Sequence, residues 1–484
     1  MMGACMCYWG KKLIRMVVAA GALGLTACTV GPDYVRPAAV VTMPSSFKET
    51  AGWKVAQPQD EVLSARWWEI YGDPQLNALE TQVAIDNQNI KAYEASFRQA
   101  QALVQSARAG YFPTVAVGAS ATRTRTSANL DGSNAGKETS DFQLPFSLAW
   151  EADIWGRIRR NVEAGTAAAQ ASAADLAAAR LSAQSELAVD YFQLRLLDAQ
   201  KRLLDDTVAC YQKSLDMTQN RYASGIAARS DVLQAETQLK STQAQAIDLL
   251  AQRSKMEHAI ALLIGKPASE FSLAPKPLTF QVPVSPAGLP SELLEHRPDI
   301  ASAERKMAAA NAQIGVAEAA YYPTIRLSAS TGLDASNILD VMSWPARFWS
   351  VGPAVSETLF DGGLRKAQSR QAVAAYDQTV AAYRQTVLTA FQEVEDNLAA
   401  LRVLAEEAGV QDSAVAAARQ TVDVIENQYQ SGTVAYLNVI SSQTAVLANE
   451  RTALNILGNR LTASVLLIKA LGGGWNTADM SPEG

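Results

Sequence analysis

Large apolar side chains alternate with small or polar ones in two separate parts of the chain. Between residues 142 and 151, every second position is large and apolar: Phe142, Leu144, Phe146, Leu148 and Trp150. Residues 114–122 show the same period of two, and so do residues 325–334 and 349–356. This period predicts β-strands over 113–126, 140–152, 323–334 and 348–359. Such strands fit either a membrane barrel or a hairpin half-buried on a soluble core, since the two patterns are locally identical.

Very long helical patterns follow each pair of predicted strands. The chain has no proline between Pro145 and Pro267, and no glycine between Gly165 and Gly225. The pattern predicts helices over 157–222 and 230–264, and in the second half over 364–429 and 434–469. At 1.5 Å per residue the first would be roughly 100 Å long, whereas helices of globular domains average about a dozen residues. Their Ala-rich composition with sparse Leu, Val and Ile indicates coiled-coil-like packing.

A shorter helix is predicted over residues 75–110, with apolar positions at Leu76, Leu79, Val83, Tyr93, Phe97 and Val104. Asp73 suits its N-cap and Pro74 its first helical position. The preceding residues 29–72, which include Trp67 and Trp68, are irregular. This helix opens the first of two similar halves.

The two halves repeat one another at an offset of about 210 residues. Residues 107–120 read ARAGYFPTVAVGAS and residues 317–330 read AEAAYYPTIRLSAS, with half of the positions identical. Further on, residues 221–225 (RYASG) correspond to residues 428–432 (QYQSG). Solenoid repeats are only roughly 20–50 residues long. The sequence therefore predicts one duplicated unit of helix, β-hairpin and long helical hairpin.

The N-terminus has the features of a secretory signal. Lys11, Lys12 and Arg15 precede a short apolar run, which ends in Leu-Thr-Ala before Cys28. That run is too short for a spanning helix. A cysteine after Leu-Thr-Ala resembles the lipobox of bacterial lipoproteins, whose cysteine is lipidated; the alternative is an ordinary signal with an incidental cysteine. Cys5 and Cys7 leave with the signal, so Cys210 is the one unmodified thiol of the mature chain and we expect no intramolecular disulfide.

Composition argues against several classes of function. The net charge is −6, with both signs scattered, so no basic patch indicates nucleic-acid binding. His258 and His296 lack neighbours at metal-ligand spacing. Nucleotide-binding and hydrolase motifs are missing from the sequence. We therefore expect neither an enzyme nor a metal site, and no cofactor other than a covalent lipid on Cys28.

The number of predicted strands limits how the chain can assemble in a membrane. The mature sequence has no apolar run of 18 residues, so it can cross a membrane only as strands of a closed barrel. Four strands cannot close a barrel, because the smallest membrane barrels need about eight. Two copies of the chain would supply eight strands and three copies twelve. Eight-stranded barrels are filled by side chains, whereas a twelve-stranded one has room for a lumen.

Several short motifs identify a family resemblance. They are CTVGPDYVRP at residues 28–37, GDPQL at 72–76 after the Trp pair, HRPDI at 296–300, AYYPT at 320–324 and the two Tyr-x-Ser-Gly turns. With these, nearly the whole chain resembles the outer membrane factor family, the TolC-like and NodT-like efflux lipoproteins of tripartite RND-type systems. The resemblance implies a mixed α+β membrane protein. It implies a homotrimer whose twelve-stranded outer-membrane β-barrel continues into a long periplasmic α-helical barrel.

The resemblance divides the chain into six segments: a signal peptide at 1–27, a lipid-anchored belt segment at 28–74, a first repeat at 75–265, an equatorial connector at 266–297, a second repeat at 298–470 and a C-terminal tail at 471–484. It also implies outer-membrane sorting, because Thr29 rather than Asp follows the cysteine. The expected location is the outer membrane of a Gram-negative bacterium, with the chain lipid-anchored and projecting into the periplasm.

Candidate site residues lie at the turns between the long helices. By position in the family, a periplasmic gate falls at Asp231, Leu437 and Ser441, where several relatives carry an acid at the position of Ser441. Adaptor contacts fall at the helix tips, on Tyr222, Ser224, Gly225, Tyr429, Ser431 and Gly432. The simpler interpretation is that the glycines are helix C-caps and Asp231 a favourable helix N-terminal charge.

The expected function is an outer-membrane efflux channel that passively conducts drugs or other toxic compounds. Its expected partners are a periplasmic adaptor, an inner-membrane RND-type pump and outer-membrane lipid. Two alternatives remain: an export duct of a type I secretion system, or an elongated periplasmic adaptor. The duplicated amphipathic strands argue against the adaptor, which has no barrel to build.

Overall fold

The structure is a computed structural model, and it describes residues 29–39, 46–49, 66–129, 135–278, 282–283 and 296–475. The chain divides into two compact units. The strand unit comprises residues 1–37, 98–171 and 303–383, and the helical unit comprises 38–97, 172–302 and 384–484. The predicted signal peptide, Cys28, and parts of the predicted belt, connector and tail lie outside the described residues.

The strand unit is built on one antiparallel sheet. Its strands are β1 (Thr114–Val117), β2 (Ser120–Arg125), β3 (Glu138–Ala152), β4 (Thr324–Ala335) and β5 (Arg347–Ser356). β1 and β2 both pair with β3, then β4 and β5 follow in order. Strands from the two halves of the sequence thus meet at the β3–β4 pair, where Trp150 lies opposite Leu327. Among the described strands, β5 and the β1–β2 line form the two edges of the sheet.

The strand predicted over 113–126 is interrupted, because Pro145 lies opposite the break. The Gly118 N–H donates to the Pro145 carbonyl at 2.9 Å. Pro145 has no N–H to donate to the Gly118 carbonyl, so one hydrogen bond of the β-ladder is lost. The register of β2 nevertheless continues that of β1. On the other side of Pro145 lies Gly332, where a Cβ would approach the Leu144 carbonyl oxygen to 2.3 Å.

Seven α-helices occur among the described residues: α1 (Pro74–Asp86), α2 (Gln88–Ala109), α3 (Arg157–Ala223), α4 (Arg229–Leu263), α5 (Pro298–Ala319), α6 (Leu364–Gln430) and α7 (Tyr436–Ala470). Helices α3 and α6 each have 67 residues, and α4 and α7 each have 35. No helix in the described ranges combines the length and the apolar character needed to cross a bilayer.

The prediction of one continuous helix over 75–110 was wrong, because Asn87 divides it into α1 and α2. The Asn87 Oδ1 accepts from the N–H groups of Asn89, at 2.9 Å, and Ile90, at 3.1 Å. Its Nδ2 donates to the Leu263 carbonyl at 2.8 Å. One buried side chain therefore caps the second helix and ties the break to the end of α4.

The main core of the helical unit surrounds the Trp pair. Trp67 and Trp68 are buried with Leu76, Leu79, Tyr191 and Phe192, against Ile260, Leu461 and Val465 of α4 and α7. Asp73 begins α1 as predicted: its side chain accepts from the Gln75 N–H at 2.8 Å, and Pro74 follows it. The Tyr191 hydroxyl donates to the other Asp73 oxygen at 2.7 Å. A short polar motif thus anchors the irregular N-terminal segment to α3.

Candidate functional site

The sheet has one apolar face, and that face is exposed. The register places these large side chains on it: Val115, Val117, Leu144, Phe146, Leu148, Trp150, Leu327, Trp349, Val351 and Val355. Most of them are solvent-exposed in the chain, including Trp349 and Val351. A surface of this kind on one face of a sheet marks contact with lipid or with another protein. It has the period of two that lipid-facing barrel strands show.

Aromatic side chains surround the end of the sheet from which the helices depart. The indole N–H of Trp150 donates to the Tyr111 carbonyl at 2.9 Å. Trp155 stacks on Tyr322 with ring centroids 4.8 Å apart. Exposed aromatic rings at this end also include Phe112, Tyr321 and Phe360. Tyr and Trp collect where hydrocarbon meets water, so this end has the composition of a membrane interface.

The described N-terminal residues lie against this same end of the sheet. The Val30 N–H donates to the Trp155 carbonyl at 3.2 Å. The Arg159 Nη1 donates to the Thr29 hydroxyl at 2.7 Å. Gly31, with φ +95°, passes so close to Gly315 that a Cβ would come within 2.4 Å of the Gly315 Cα. Residue 29, which directly follows Cys28, is therefore fixed at the aromatic end of the strands.

The two turns between long helices share one geometry. Gly225 has φ +71° and Gly432 has φ +77°. In each turn the glycine N–H donates to the tyrosine carbonyl three residues earlier, and the next N–H donates five residues back, to Arg221 and Gln428. This is the Schellman C-cap, which satisfies the last carbonyls of a helix. Ser224 and Ser431 also donate to the carbonyls of Asn220 and Asn427, both at 2.9 Å.

The two tyrosines of these turns differ in exposure. Tyr222 is 46% exposed, whereas Tyr429 is 4% exposed. Tyr429 packs in a cluster with Tyr211, Leu215, Ala235, Leu239, Tyr436 and Val439. Burial leaves little of the Tyr429 ring for a partner, unlike Tyr222, Ser224, Gly225, Ser431 and Gly432, which are exposed.

Two further residues at the turns were not predicted from the sequence. Arg221 lies over the Tyr429 ring, and its Nη1 donates to the Gln430 carbonyl at 3.3 Å. Ile226 is exposed beside Gly225. The one available signal was the difference between the otherwise similar RYASG and QYQSG segments, where arginine replaces glutamine.

The predicted gate residues lie near the start of the returning helices. Asp231 is in the first turn of α4, which begins at Arg229 after Ala228, a residue without a capping side chain. Leu437 is 60% exposed, and Ser441 is exposed one turn further along α7. Burial raises the pKa of the neighbouring Tyr436 to about 12, and the Asp231 charge adds to that increase.

The described part of the chain contains no group of three or more His, Cys, Asp or Glu residues able to hold a metal ion. A groove of about 1330 Å³ in the helical unit is lined by charges of both signs, including Arg202, Asp206, Asp412, Arg419 and Glu450. Arg419 and Glu450 form an ion pair there.

A sheet with an exposed apolar face, in a chain that also has 67-residue helices, defines the class of outer-membrane channels with a helical extension. The family model described as "outer membrane efflux protein" matches residues 80–266 and 289–473. The chain belongs to this family, which confirms the resemblance drawn from the motifs. Family members are efflux channels rather than enzymes, and the chain is accordingly an efflux channel of the Gram-negative outer membrane.

Individual relatives agree with this assignment. The solvent efflux pump outer membrane protein SrpC of Pseudomonas putida is 30% identical over 463 residues, covering 94% of this chain and 97% of that protein. The pyoverdine export outer membrane protein OpmQ of Pseudomonas aeruginosa is 31% identical over 419 residues, covering 85% and 88%. The solved outer-membrane channel OprN matches with a TM-score of 0.86 and 30% identity, over 93% of this chain and all of OprN (100%). None of these names favours the adaptor alternative.

Proposed function

We propose that three copies of this chain form a passive conduit for small toxic molecules across the outer membrane. The strand units close a twelve-stranded barrel, and the helical units form a tunnel. Substrates reach it from an inner-membrane RND-type pump through a periplasmic adaptor. No cofactor takes part, because the pump supplies the energy and the conduit supplies only a path.

One observation carries the proposal: the sheet has an exposed apolar face and two edges with no strand beside them in the described chain. In hydrocarbon, an open edge leaves N–H and C=O groups unbonded, at several kcal/mol for each group. Further copies are the simplest source of the missing strands. β1 and β2 pair with β3 in one continuous register, so together they count as one barrel strand. Each chain therefore supplies four barrel strands. Three copies then give twelve, which is wide enough for a lumen.

The anchor in this proposal is a lipid on Cys28. It is supported by the contacts of Thr29 and Val30 with Arg159 and Trp155. These contacts hold the residue after Cys28 beside the aromatic end of the strands, where acyl chains enter the hydrocarbon directly. A multiply acylated cysteine adds strong membrane affinity, while the strand face supplies its own.

The gate in this proposal is at the helix tips. Three-fold repetition places three Asp231 carboxylates and three Leu437 side chains around one axis. A ring of carboxylates attracts cations, and a ring of leucines excludes water. The exposure of Leu437 and Ser441 supports this assignment, and the adaptor would contact Tyr222, Ser224, Gly225, Ser431 and Gly432.

The experiment tests whether the strands hold the protein in the membrane when the lipid on Cys28 is absent. The full chain is expressed with a cleavable signal that is not a lipoprotein signal, carrying Cys28→Ala, and membranes are extracted with salt and then with detergent. We expect the variant to require detergent, to have the mass of three chains by light scattering, and to conduct ions in a planar bilayer. Release into the salt fraction as a monomer would refute the barrel.

A further inference from the structure

The polar face of the sheet carries few charges. Among the residues of the five described strands, the ionisable side chains on this face are Asp141, Glu151, Arg326 and Asp334. Asp141 and Asp334 lie near the hairpin loops. Glu151 and Arg326 lie opposite one another at the other end, beside the start of α3. The two places are ten residues apart along β3 and eight along β4, roughly 26–33 Å at the rise of a β-strand.

Arg326 occupies a position that no other copy of the chain can alter. It is on β4, between β3 and β5 of the same chain, where its cross-strand neighbours are Glu151 and Ala354. The edge strand β5 separates it from any strand that another copy would add. Assembly through the edges therefore leaves the surroundings of Arg326 in the sheet as they are in the single chain.

Glu151 forms an ion pair with Arg157. Its Oε1 accepts from Arg157 Nη2 at 2.9 Å and from Arg157 Nε at 3.1 Å. Arg326 Nε is 4.0 Å from Glu151 Oε2, beyond hydrogen-bond distance. The Arg326 side chain is 69% exposed, and that of Glu151 is 20% exposed. The group of Arg157, Glu151 and Arg326 thus has one net positive charge, and Arg326 presents it to solvent.

We propose that Arg326 is a selectivity residue, which gives the barrel lumen a preference for anions at the helix-proximal end of the strands. The inference rests on the proposed trimer, in which the polar face lines the lumen and three Arg326 side chains surround the path. A ring of like charges in a low-dielectric wall concentrates counter-ions. Small molecules bearing a carboxylate or another anionic group are the cargo that this ring favours.

The test uses the purified full-length protein in planar bilayers, with the reversal potential measured under a KCl gradient. Arg326→Gln retains most of the side-chain length and removes the charge, and Arg326→Lys retains the charge. We expect Arg326→Gln to raise the ratio of K⁺ to Cl⁻ permeability about sevenfold, because loss of a potential of about one kT per unit charge raises the local K⁺ concentration and lowers the local Cl⁻ concentration by about threefold each. Arg326→Lys should match the wild type, and Glu151→Gln should shift the ratio towards Cl⁻.

The matched control is Arg347→Gln, which removes an arginine from the opposite face of the same sheet. It should leave the permeability ratio unchanged. Equal ratios for Arg326→Gln and the wild type, in channels of normal conductance, would overturn the selectivity role and leave the conduit intact. A wild type that is released by salt as a monomer would overturn the conduit, and the role of Arg326 with it.

Discussion

The guanidinium carbon of Arg221 lies 4.8 Å from the centre of the Tyr429 ring. The contact joins the end of α3 to the end of α6, two helices that are 67 residues long and far apart in sequence. Cation–π pairs contribute about 0.5–1 kcal/mol at exposed sites and about 2 when desolvated. With Tyr429 buried, this pair holds the two helical turns of one chain together.

Removing that contact should loosen the tips of the helices. We expect Arg221→Ala to raise the single-channel conductance of the reconstituted protein, because the two turns lose their link. Tyr429→Phe keeps the ring and should behave like the wild type. Conductance of Arg221→Ala equal to that of the wild type would show that the contact does not restrain the tips.

Asp231 should contribute a barrier and a cation preference at the proposed gate. We expect Asp231→Ala to raise ion conductance and to lower the preference for K⁺ over Cl⁻, because three carboxylates leave the axis. Asp248→Ala removes an exposed acid from the same helix and is the control. If conductance and preference both stay unchanged in Asp231→Ala, this residue has no role in gating.

Asn87 should stabilise the helical unit through its cap and its bond to the Leu263 carbonyl. We expect Asn87→Ala to cost about 2–4 kcal/mol of unfolding free energy, the sum of a lost cap and a buried carbonyl left unbonded. Thermal unfolding in detergent, followed by circular dichroism, measures the change. Asn89→Ala, an exposed position two residues on, should change the melting temperature little.

Glu80 should make the helical unit less stable as the pH rises. Its side chain is fully buried in α1, both carboxyl oxygens lack hydrogen-bond partners among the described residues, and burial raises the pKa well above 4.5. The folded state therefore holds a proton that the unfolded state releases above about pH 4.5. Below that pH the Glu80 contribution to the free energy of unfolding is fully present. Above it, the free energy of unfolding falls by up to about 1.4 kcal/mol per pH unit until Glu80 also ionises in the folded state.

Glu80→Gln removes this titration. The variant should unfold at a higher temperature than the wild type at pH 8, and its melting temperature should vary less between pH 5 and pH 8. Glu236→Gln, on the exposed surface of α4, is the control and should keep the wild-type slope. Parallel pH profiles for Glu80→Gln and the wild type would contradict the assignment.

Features that depend on neighbouring residues in the sequence were predictable. The alternation from Phe142 to Trp150 predicted β3, because a period of two describes a strand wherever it pairs. The long stretch without proline or glycine predicted α3, and Gly225 and Gly432 predicted its end and that of α6. In each case the deciding interaction spans a few residues. The Asp73 cap was predictable for the same reason.

Features that depend on distant residues needed the tertiary structure. Asn87 breaks a helical pattern by bonding to Leu263, 176 residues away. Tyr222 and Tyr429 precede the same Ser-Gly turn, yet one is exposed and the other buried, because only Tyr429 faces the cluster with Tyr211 and Tyr436. The strand register that pairs Arg326 with Glu151 is likewise set between the two halves of the chain. The sequence by itself determined the strand pattern of β3 and the ends of the long helices α3 and α6, since those choices are local. The tertiary structure alone decided which side chains meet, because burial and charge pairing depend on groups that the chain order does not place together.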